Sequence, residues 1–545
     1  MGLAVTIQFQ EIKLSSRIFL YSAFFFVSIL LYDSYQRTFY DVEPQVSQTM
    51  PETKKNVEKK ASVENNVNSD VENKTLNVSS EVINVRTDFL DVDISLIDGS
   101  IVKSRLLQYK RNFNNEDKKV ILLNERESGY VAKADVQTPD TKSPNSYKSS
   151  QDAYYVESYP YTVTLNGNNS EGVRFEKKYV FNESSHLINV SNTIYNEKAD
   201  SIQARFYTIL QRGEDTDSNV MLYTYTGAAF YDEENKFNKI SFSDITDNNF
   251  KLQTYSSWIS MLQHYFFTAW ISEKESDQTI FTRRVLSEDI PYYQIGSLSN
   301  YEIISPNSSK TFSSNLYVGP KNVSEISNIT EGLDLTVDYG VLTFLAAPLF
   351  WVLDKLNMMF DNWGIALIML TILIKLLFFK LSETSYKSMA KMKKLAPRMT
   401  ALKERYADDR KKFSEELMKV YKQEKVNPLG GCLPILVQIP VFIALYWVIV
   451  ESVEMRHAPF VGWIVDLSSK DPLFVLPILM GLSMYIQQKL NPPPTDAMQQ
   501  KIFLALPFIF TILFATFPSG LVLYWLVNNI LSIGQQYVIN RRLSV

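Results

Sequence analysis

The sequence predicts a multi-domain membrane protein: an α-helical transmembrane bundle of six spans, a large and mostly antiparallel β domain outside the cytoplasm, and a helical hairpin inside it. Three observations carry this. The 545-residue chain divides into a polar, aromatic-containing stretch over about 41–335 and an apolar one over 341–540. A separate apolar run follows Lys13 and Arg17 near the N-terminus. Basic residues then concentrate at 382–426, between two apolar segments.

Taken in order, residues 1–17 are a cytoplasmic N-terminus and 18–32, IFLYSAFFFVSILLY, a transmembrane signal anchor. The bulky DSYQRTFY that follows offers no small-residue cleavage site, so the segment stays attached. Residues 33–83 are a flexible linker. Over 41–80 there is neither an aromatic residue nor a glycine, and such a composition buries too little surface to offset the entropy of ordering. From 84 to 338 short alternating segments predict the β domain. LDVDISLIDGSIVKSRL places a hairpin turn at Asp98-Gly99, and YVFNESSHLINVSNTIY alternates apolar with polar residues.

Six apolar segments follow, and charge decides which of them span. The N-terminal Lys13 and Arg17 face the cytoplasm, which puts the β domain outside. The segment 382–426 carries thirteen Lys/Arg against seven Asp/Glu and therefore also faces the cytoplasm. One span, not two, fits between them. Residues 341–360, interrupted by Asp354 and Lys355, are accordingly expected to lie along the outer interface as an amphipathic helix. Residues 364–381 form the second span and 382–427 the cytoplasmic hairpin. The third span, 428–450, leads to an outer loop, 451–471, with two basic and four acidic residues. The fourth span, 472–488, a cytoplasmic loop, 489–501, and the fifth and sixth spans, 502–516 and 521–538, complete the bundle. The tail 539–545 is cytoplasmic. Both ends are then inside.

Composition excludes several function classes. A single cysteine, Cys432, rules out an intrachain disulfide, and His186, His264 and His457 match no metal-ligand spacing. Neither a GxxxxGK[ST] phosphate loop nor a GxGxxG fingerprint occurs, so no nucleotide, metal or other cofactor is expected, and no enzyme activity. Lys375 is the residue that points to a function. It lies eleven residues after Gly364, about 16 Å along a helix and roughly half-way through a hydrocarbon core of about 30 Å. A charge at that depth costs roughly 2.5–3.5 kcal/mol and usually marks a polar pathway; the bland alternative is a lysine that snorkels to the headgroups. Thr371 lies one turn earlier on the same face. Gln438 in the third span and Asn528, Asn529 and Ser532 in the last supply further polar groups, and no Asp or Glu lies inside these spans. Ser483 and Thr511 read as helix–helix hydrogen bonds. A lone positive charge among amides and hydroxyls predicts an open polar groove.

The cytoplasmic segment is helical in pattern. Met389, Met392, Leu395, Met399 and Leu402 recur at three- and four-residue spacing, and Asp408-Asp409 offers an N-cap to a second helix. Its cationic face is formed by Lys391, Lys393, Lys394, Arg398, Lys403, Arg405, Arg410, Lys411 and Lys412.

YKSMAKMKKLAPRM, EKVNPLGGCLPILVQIPVFIALYW, DPLFVLPILMG, MQQKIF and FPSGLVLYW, in unbroken order over about 340–540, closely resemble the YidC/Oxa/Alb family of membrane-protein insertases. The anchor and β domain resemble the Gram-negative form, located in the bacterial inner membrane. The resemblance implies a five-helix insertase core, a periplasmic β-sandwich of supersandwich type like that of sugar mutarotases, and a hydrophilic groove open to the cytoplasm and lipid. It implies that Lys375, Thr371, Gln438, Asn528 and Ser532 line the substrate groove and that Tyr524 and Trp525 contact the sliding substrate. The family carries an arginine where this chain has Lys375, so the charge is kept and the guanidinium fork is lost. The implied partners are nascent membrane proteins, membrane lipids, the Sec translocon and the ribosome. Ribosome contact is expected to rest on the hairpin, since the tail NRRLSV is short. Two other classes remain open on residues alone: a small-solute transporter and a membrane-anchored periplasmic carbohydrate-binding protein. The first needs intramembrane carboxylates or inverted repeats; the second needs acids and histidines brought together within 84–318.

Overall fold

A computed structural model describes residues 82–542 except 114, 140–144, 169–172, 215–224, 274–275, 288–289, 407–408, 425, 427–432 and 492–496. The expected anchor, the linker up to residue 81, Asp408, Cys432 and the last three residues lie outside the described residues.

Alternating burial organises the first half. Along Leu187–Asn196 every second side chain is buried, and its partner Ser308–Pro320 runs antiparallel from Leu187 opposite Tyr317 to Asn196 opposite Ser308. Such strands build two sheets. The larger runs in the order Lys251–Tyr255, Asp277–Ser287, Ile290–Ser299, Ile202–Gly213, Val131–Gln137, Ile101–Asn112, Leu90–Ser95, Val82–Arg86 and Ala153–Tyr155, with Asn115–Asn124 and Glu302–Ile304 pairing off this path. The smaller runs Lys236–Ile240, Gly227–Asp232, Trp258–Leu262, Phe266–Ser272, Ser308–Pro320, Leu187–Asn196, Arg174–Phe181, Tyr161–Asn168 and Tyr147–Lys148. Among the described pairs only Val82–Arg86 with Ala153–Tyr155 is parallel. Side chains such as Ile83, Leu90, Ile188, Val190, Leu210, Ile295 and Leu316 form one apolar core. Burying each contributes roughly 1.5–3 kcal/mol.

The Asp98-Gly99 turn is where the sequence places it. Gly99 has a φ of +61°, and a Cβ there would come within 2.7 Å of Lys177 Nζ. That ammonium is fully buried and donates to the carbonyls of Gly99, at 2.8 Å, and Ala134, at 2.5 Å. The turn is thus fixed by a charge that needs its carbonyls.

Two short 3-10 turns, Leu333–Thr336 and Gly340–Leu342, lead from the β domain to eight helices: α1 (Thr343–Phe360), α2 (Trp363–Leu377), α3 (Phe379–Arg405), α4 (Arg410–Gln423), α5 (Leu433–Glu451), α6 (Val475–Leu490), α7 (Ala497–Phe514) and α8 (Ser519–Arg542). The outward faces of α1, α6 and α7 are apolar. Phe344, Trp351, Met358 and Met359 of α1, Ile478 and Leu482 of α6, and Phe508 and Ile512 of α7 are all exposed, as suits helices surrounded by lipid. By length and composition Gly340–Phe360 is long and apolar enough to cross a membrane, so its placement in the interface rests on the charge count alone.

One expected element is divided. The stretch 364–381, read as a single span, ends at Leu377, and α3 leaves α2 at 68°. Neither proline nor glycine marks the break. Past Phe378 the sequence becomes amphipathic, and Ser382, Ser385, Tyr386 and Ala390 of α3 are buried. The polar face of α3 is thereby packed inward instead of following α2 through apolar surroundings.

The β domain is joined to the helices through the segment after α5. Arg456 donates to the carbonyls of Lys110, at 2.7 Å, and Arg111, at 2.9 Å, and Val453 enters the β-domain core. His264 Nε2 donates to Val450 O at 2.8 Å, and burial pushes this imidazole down to about 4. Because that value is depressed below the ordinary 6.5, the stabilisation is present above pH 6.5 and is lost as pH falls towards 4, to the extent of roughly 3 kcal/mol. Glu454, pushed up to about 7 by burial, acts with the opposite sign. Between pH 6.5 and 4 the protection of amides across 450–458, corrected for the intrinsic exchange rate, is therefore expected to fall further, or rise less, in the native chain than in His264→Gln. An equal acid response in the two proteins would refute this linkage.

Candidate functional site

The site is built where the polar residues of α2, α3, α5 and α8 meet. Asn362 starts α2 by accepting from the Ile365 N–H at 3.0 Å and is itself held by donating to Phe460 O at 2.9 Å. The helix then carries Lys375 in its last turn, beside the break. A cleft opens there. Its walls are Ile374, Lys375 and Phe378, then Leu381 and Ser382 of α3, and Pro434, Val437, Gln438 and Val441 of α5.

Lys375 does not extend to the surface alone: Nζ donates to Ser532 Oγ of α8 at 2.7 Å. Ser532 Oγ donates in turn to Asn528 O at 2.7 Å. Asn528 Oδ1 accepts from Gln438 Nε2, which also lies 3.4 Å from the Tyr524 hydroxyl. The network therefore links α2, α5 and α8. No carboxylate pairs with Lys375 among the described residues.

Four of the five groove residues expected from sequence, Lys375, Gln438, Asn528 and Ser532, are thus brought together. Thr371 is placed differently. It is buried, its hydroxyl donates to Leu367 O of its own helix at 2.6 Å, and it stands one turn behind the cleft wall. Tyr524 is buried behind Gln438, whereas Trp525 is half-buried with its ring 4.8 Å from Phe442 and 5.6 Å from Phe514. Asn529 donates across to Ser483 Oγ at 2.9 Å, and Thr511 bonds back to Pro507 O at 2.7 Å. Ser483 thus takes part in the helix–helix bond expected of it, whereas the Thr511 hydroxyl is taken up by its own helix. At Gly481 a Cβ would overlap the Thr511 hydroxyl, which explains a glycine where α6 meets α7.

Three contributors were not visible in the sequence. Tyr386 of α3 faces the Ser532 hydroxyl, Ser382 lines the cleft, and Gln535 Nε2 donates to Phe379 O at 3.3 Å, tying α8 to the start of α3. All three depend on the break at Phe378, for which no proline or glycine gives a signal.

The helical hairpin is formed by α3 and α4. Asp409 caps α4 through the Lys412 N–H at 3.0 Å, and Arg398 reaches Glu424 at 3.0 Å. The Tyr421 hydroxyl contacts Met399 Sδ at 3.8 Å, so this methionine packs the hairpin. Lys391, Lys394, Arg398, Lys403, Arg405, Lys411 and Lys412 are exposed and Lys393 is half-buried; Arg410 begins α4.

In the β domain, His186 pairs with Glu325 at 2.9 Å while His264 serves the junction. Each is occupied by a separate structural partner. Among the described residues no group of three His, Cys, Asp or Glu is arranged to hold a metal.

The groove's central amide pair has a stability consequence. Gln438→Leu removes the donor to buried Asn528 Oδ1, and thermal unfolding in detergent should show a loss of roughly 1–3 kcal/mol. Gln438→Asn/Asn528→Gln, which exchanges the two side chains, should recover part of it. No loss in the leucine variant would show that the amide is satisfied by water instead.

Comparison with known proteins agrees with this architecture. The family described as YidC periplasmic domain matches residues 82–352, and that described as 60Kd inner membrane protein matches 355–544. The chain is 46% identical over 477 residues to the "Membrane protein insertase YidC" of Legionella pneumophila (strain Paris), covering 86% of this chain and 85% of that one. It is 42% identical over 544 residues to the protein of the same name from Methylobacillus flagellatus, covering 97% of each. A solved structure described as active YidC insertase with its first transmembrane domain resolved is similar at 19% identity and a TM-score of 0.41, over 84% of this chain and 93% of that one. With two family matches side by side and relatives alike along most of their length, the chain belongs to the YidC family of membrane protein insertases.

Proposed function

We propose that this chain inserts membrane proteins into the bacterial inner membrane and assists their folding there, by receiving the polar flank of a nascent helix in the groove beside Lys375. The observation that carries this reading is a positively charged side chain in an open cleft, held by one serine and balanced by no carboxylate among the described residues. A coupled transporter would need an acid at that point. A carbohydrate-binding role for the β domain has no support from its two histidines, each held by a structural partner.

The physical steps follow from the groove. A substrate flank exchanges part of its hydration for the Lys375 ammonium and the amides of Gln438 and Asn528, and the apolar barrier left to cross becomes shorter. The apolar part of the substrate then enters lipid past α8, near Trp525. This transfer is driven by about 0.8 kcal/mol per buried CH₂. Acidic flanks moving outward gain a further 2.3 kcal/mol or so per charge per 100 mV of membrane potential. No covalent step is required.

The topology belongs to the same reading. Six spans, with both termini and the α3–α4 hairpin in the cytoplasm and α1 along the outer interface, put the groove mouth beside the hairpin. The exposed Lys and Arg side chains of α3 and α4 then meet the ribosome, and the chain works alone or beside the Sec translocon. Support for this comes from the charge distribution along the sequence.

Reconstitution into liposomes with a single-span, acidic-flanked substrate tests the reading. Lys375→Arg should insert at close to the native level, and Lys375→Glu should lose at least tenfold, a change of ~1.4 kcal/mol or more. Undiminished insertion by Lys375→Leu would overturn the role of the groove charge. Removing most of 84–318 should leave insertion measurable, which an enzyme housed in the β domain would not survive.

A further inference from the structure

Ser532 stands where three helices converge. Its hydroxyl donates to Asn528 O in its own helix, accepts from Lys375 Nζ of α2, and faces the Tyr386 phenol of α3. One O–H and two lone pairs are all that a serine offers; the O–H goes to Asn528 O and one lone pair receives the lysine. The residue is 2% exposed, so water does not compete for it. Lys375 has no other hydrogen-bond partner among the described residues, and it lines the cleft.

An ammonium is a point charge on a four-carbon stem, with no planar fork to fix its direction. Without a fixed acceptor, the stem of a lysine in the last turn of α2 swings past Phe378 towards the polar surface. A guanidinium at the same place would depend less on one acceptor, because its five N–H groups also reach towards the Gln438 amide on the facing wall. The geometry points to Ser532 as a positioning residue that keeps the Lys375 charge inside the groove, and to lysine at 375 as the reason this chain depends on it. The inference rests on the insertase reading given above.

The test uses the full chain in liposomes with the same acidic-flanked substrate, comparing S532A, S532T, K375R, K375L, K375R/S532A and K375L/S532A, each checked for folding by thermal unfolding. S532A should lower insertion roughly tenfold to a hundredfold, the scale of one hydrogen bond to a charged group. S532T, which restores the hydroxyl, should recover it. In the K375R background the serine change should cost less than about twofold, and in K375L nothing further. The same loss from S532A in K375L as in the native chain would mean that Ser532 acts through packing, and the proposal falls. It falls equally if S532A inserts normally while K375L fails. Normal insertion by K375L would instead refute the groove-charge reading beneath it.

Discussion

A primary ammonium in the last turn of an apolar helix must be solvated by something, and the helical half of this protein is arranged around that requirement. Lys375 has no carboxylate beside it among the described residues, so attraction to a fixed counter-ion does not offset its burial. One hydroxyl on α8 and an open cleft take that place. The break after Leu377 serves the same requirement. It turns the polar face of α3 inward, so that Ser382 lines the cleft with Lys375 and Tyr386 faces Ser532. On the facing wall, Gln438 lies two residues before Pro440, which has no N–H to give to the helix ladder. The amide is anchored by Asn528 and not by its own backbone.

The β domain is connected to this groove through one wall. α5 carries Gln438 on the cleft and ends at Glu451, and the residues that follow are held by β-domain groups. Val450 O accepts from His264, and Arg456 reaches the Lys110 and Arg111 carbonyls. Phe460 O in turn anchors Asn362, the N-cap of α2. Both helices that flank the cleft, α2 at its start and α5 at its end, are therefore positioned by one loop. That loop is held through backbone carbonyls in two domains.

Much of this was legible in the sequence, and the omissions have a common cause. Alternation over Leu187–Asn196, the turn at Asp98-Gly99 and the Asp409 cap are local signals, decided by residues within a few positions of one another. Lys375 was legible because a charge in an apolar run is conspicuous whatever surrounds it. Its partner was harder to identify, since Ser532 lies 157 residues away and Asn528, Asn529 and Ser532 were equal candidates. The structure separates them: Asn529 faces Ser483 of α6, Asn528 faces Gln438 of α5, and Ser532 takes the lysine. Helical spacing put Thr371 on the lysine's face, but spacing does not reveal that a threonine hydroxyl is occupied by its own helix. The break at Phe378 was not legible at all. It arises from the contact of α3 with α8, and no residue at 378 announces it.

The central claim is that the cleft around Lys375 is wet from the cytoplasmic side while the surrounding helix faces are in lipid. Cysteine accessibility measures this directly. In a Cys432→Ser background, single cysteines at Lys375 and Ser382, on the cleft, and at Ile512, on the exposed face of α7, would be treated in oriented membranes with a charged, membrane-impermeant thiol reagent. The account predicts rapid labelling at 375 and 382 from the cytoplasmic side alone and none at 512. Protection of 375 and 382 from both sides would contradict it, because the ammonium would then lie in a dry interior and the groove would not exist as an aqueous path.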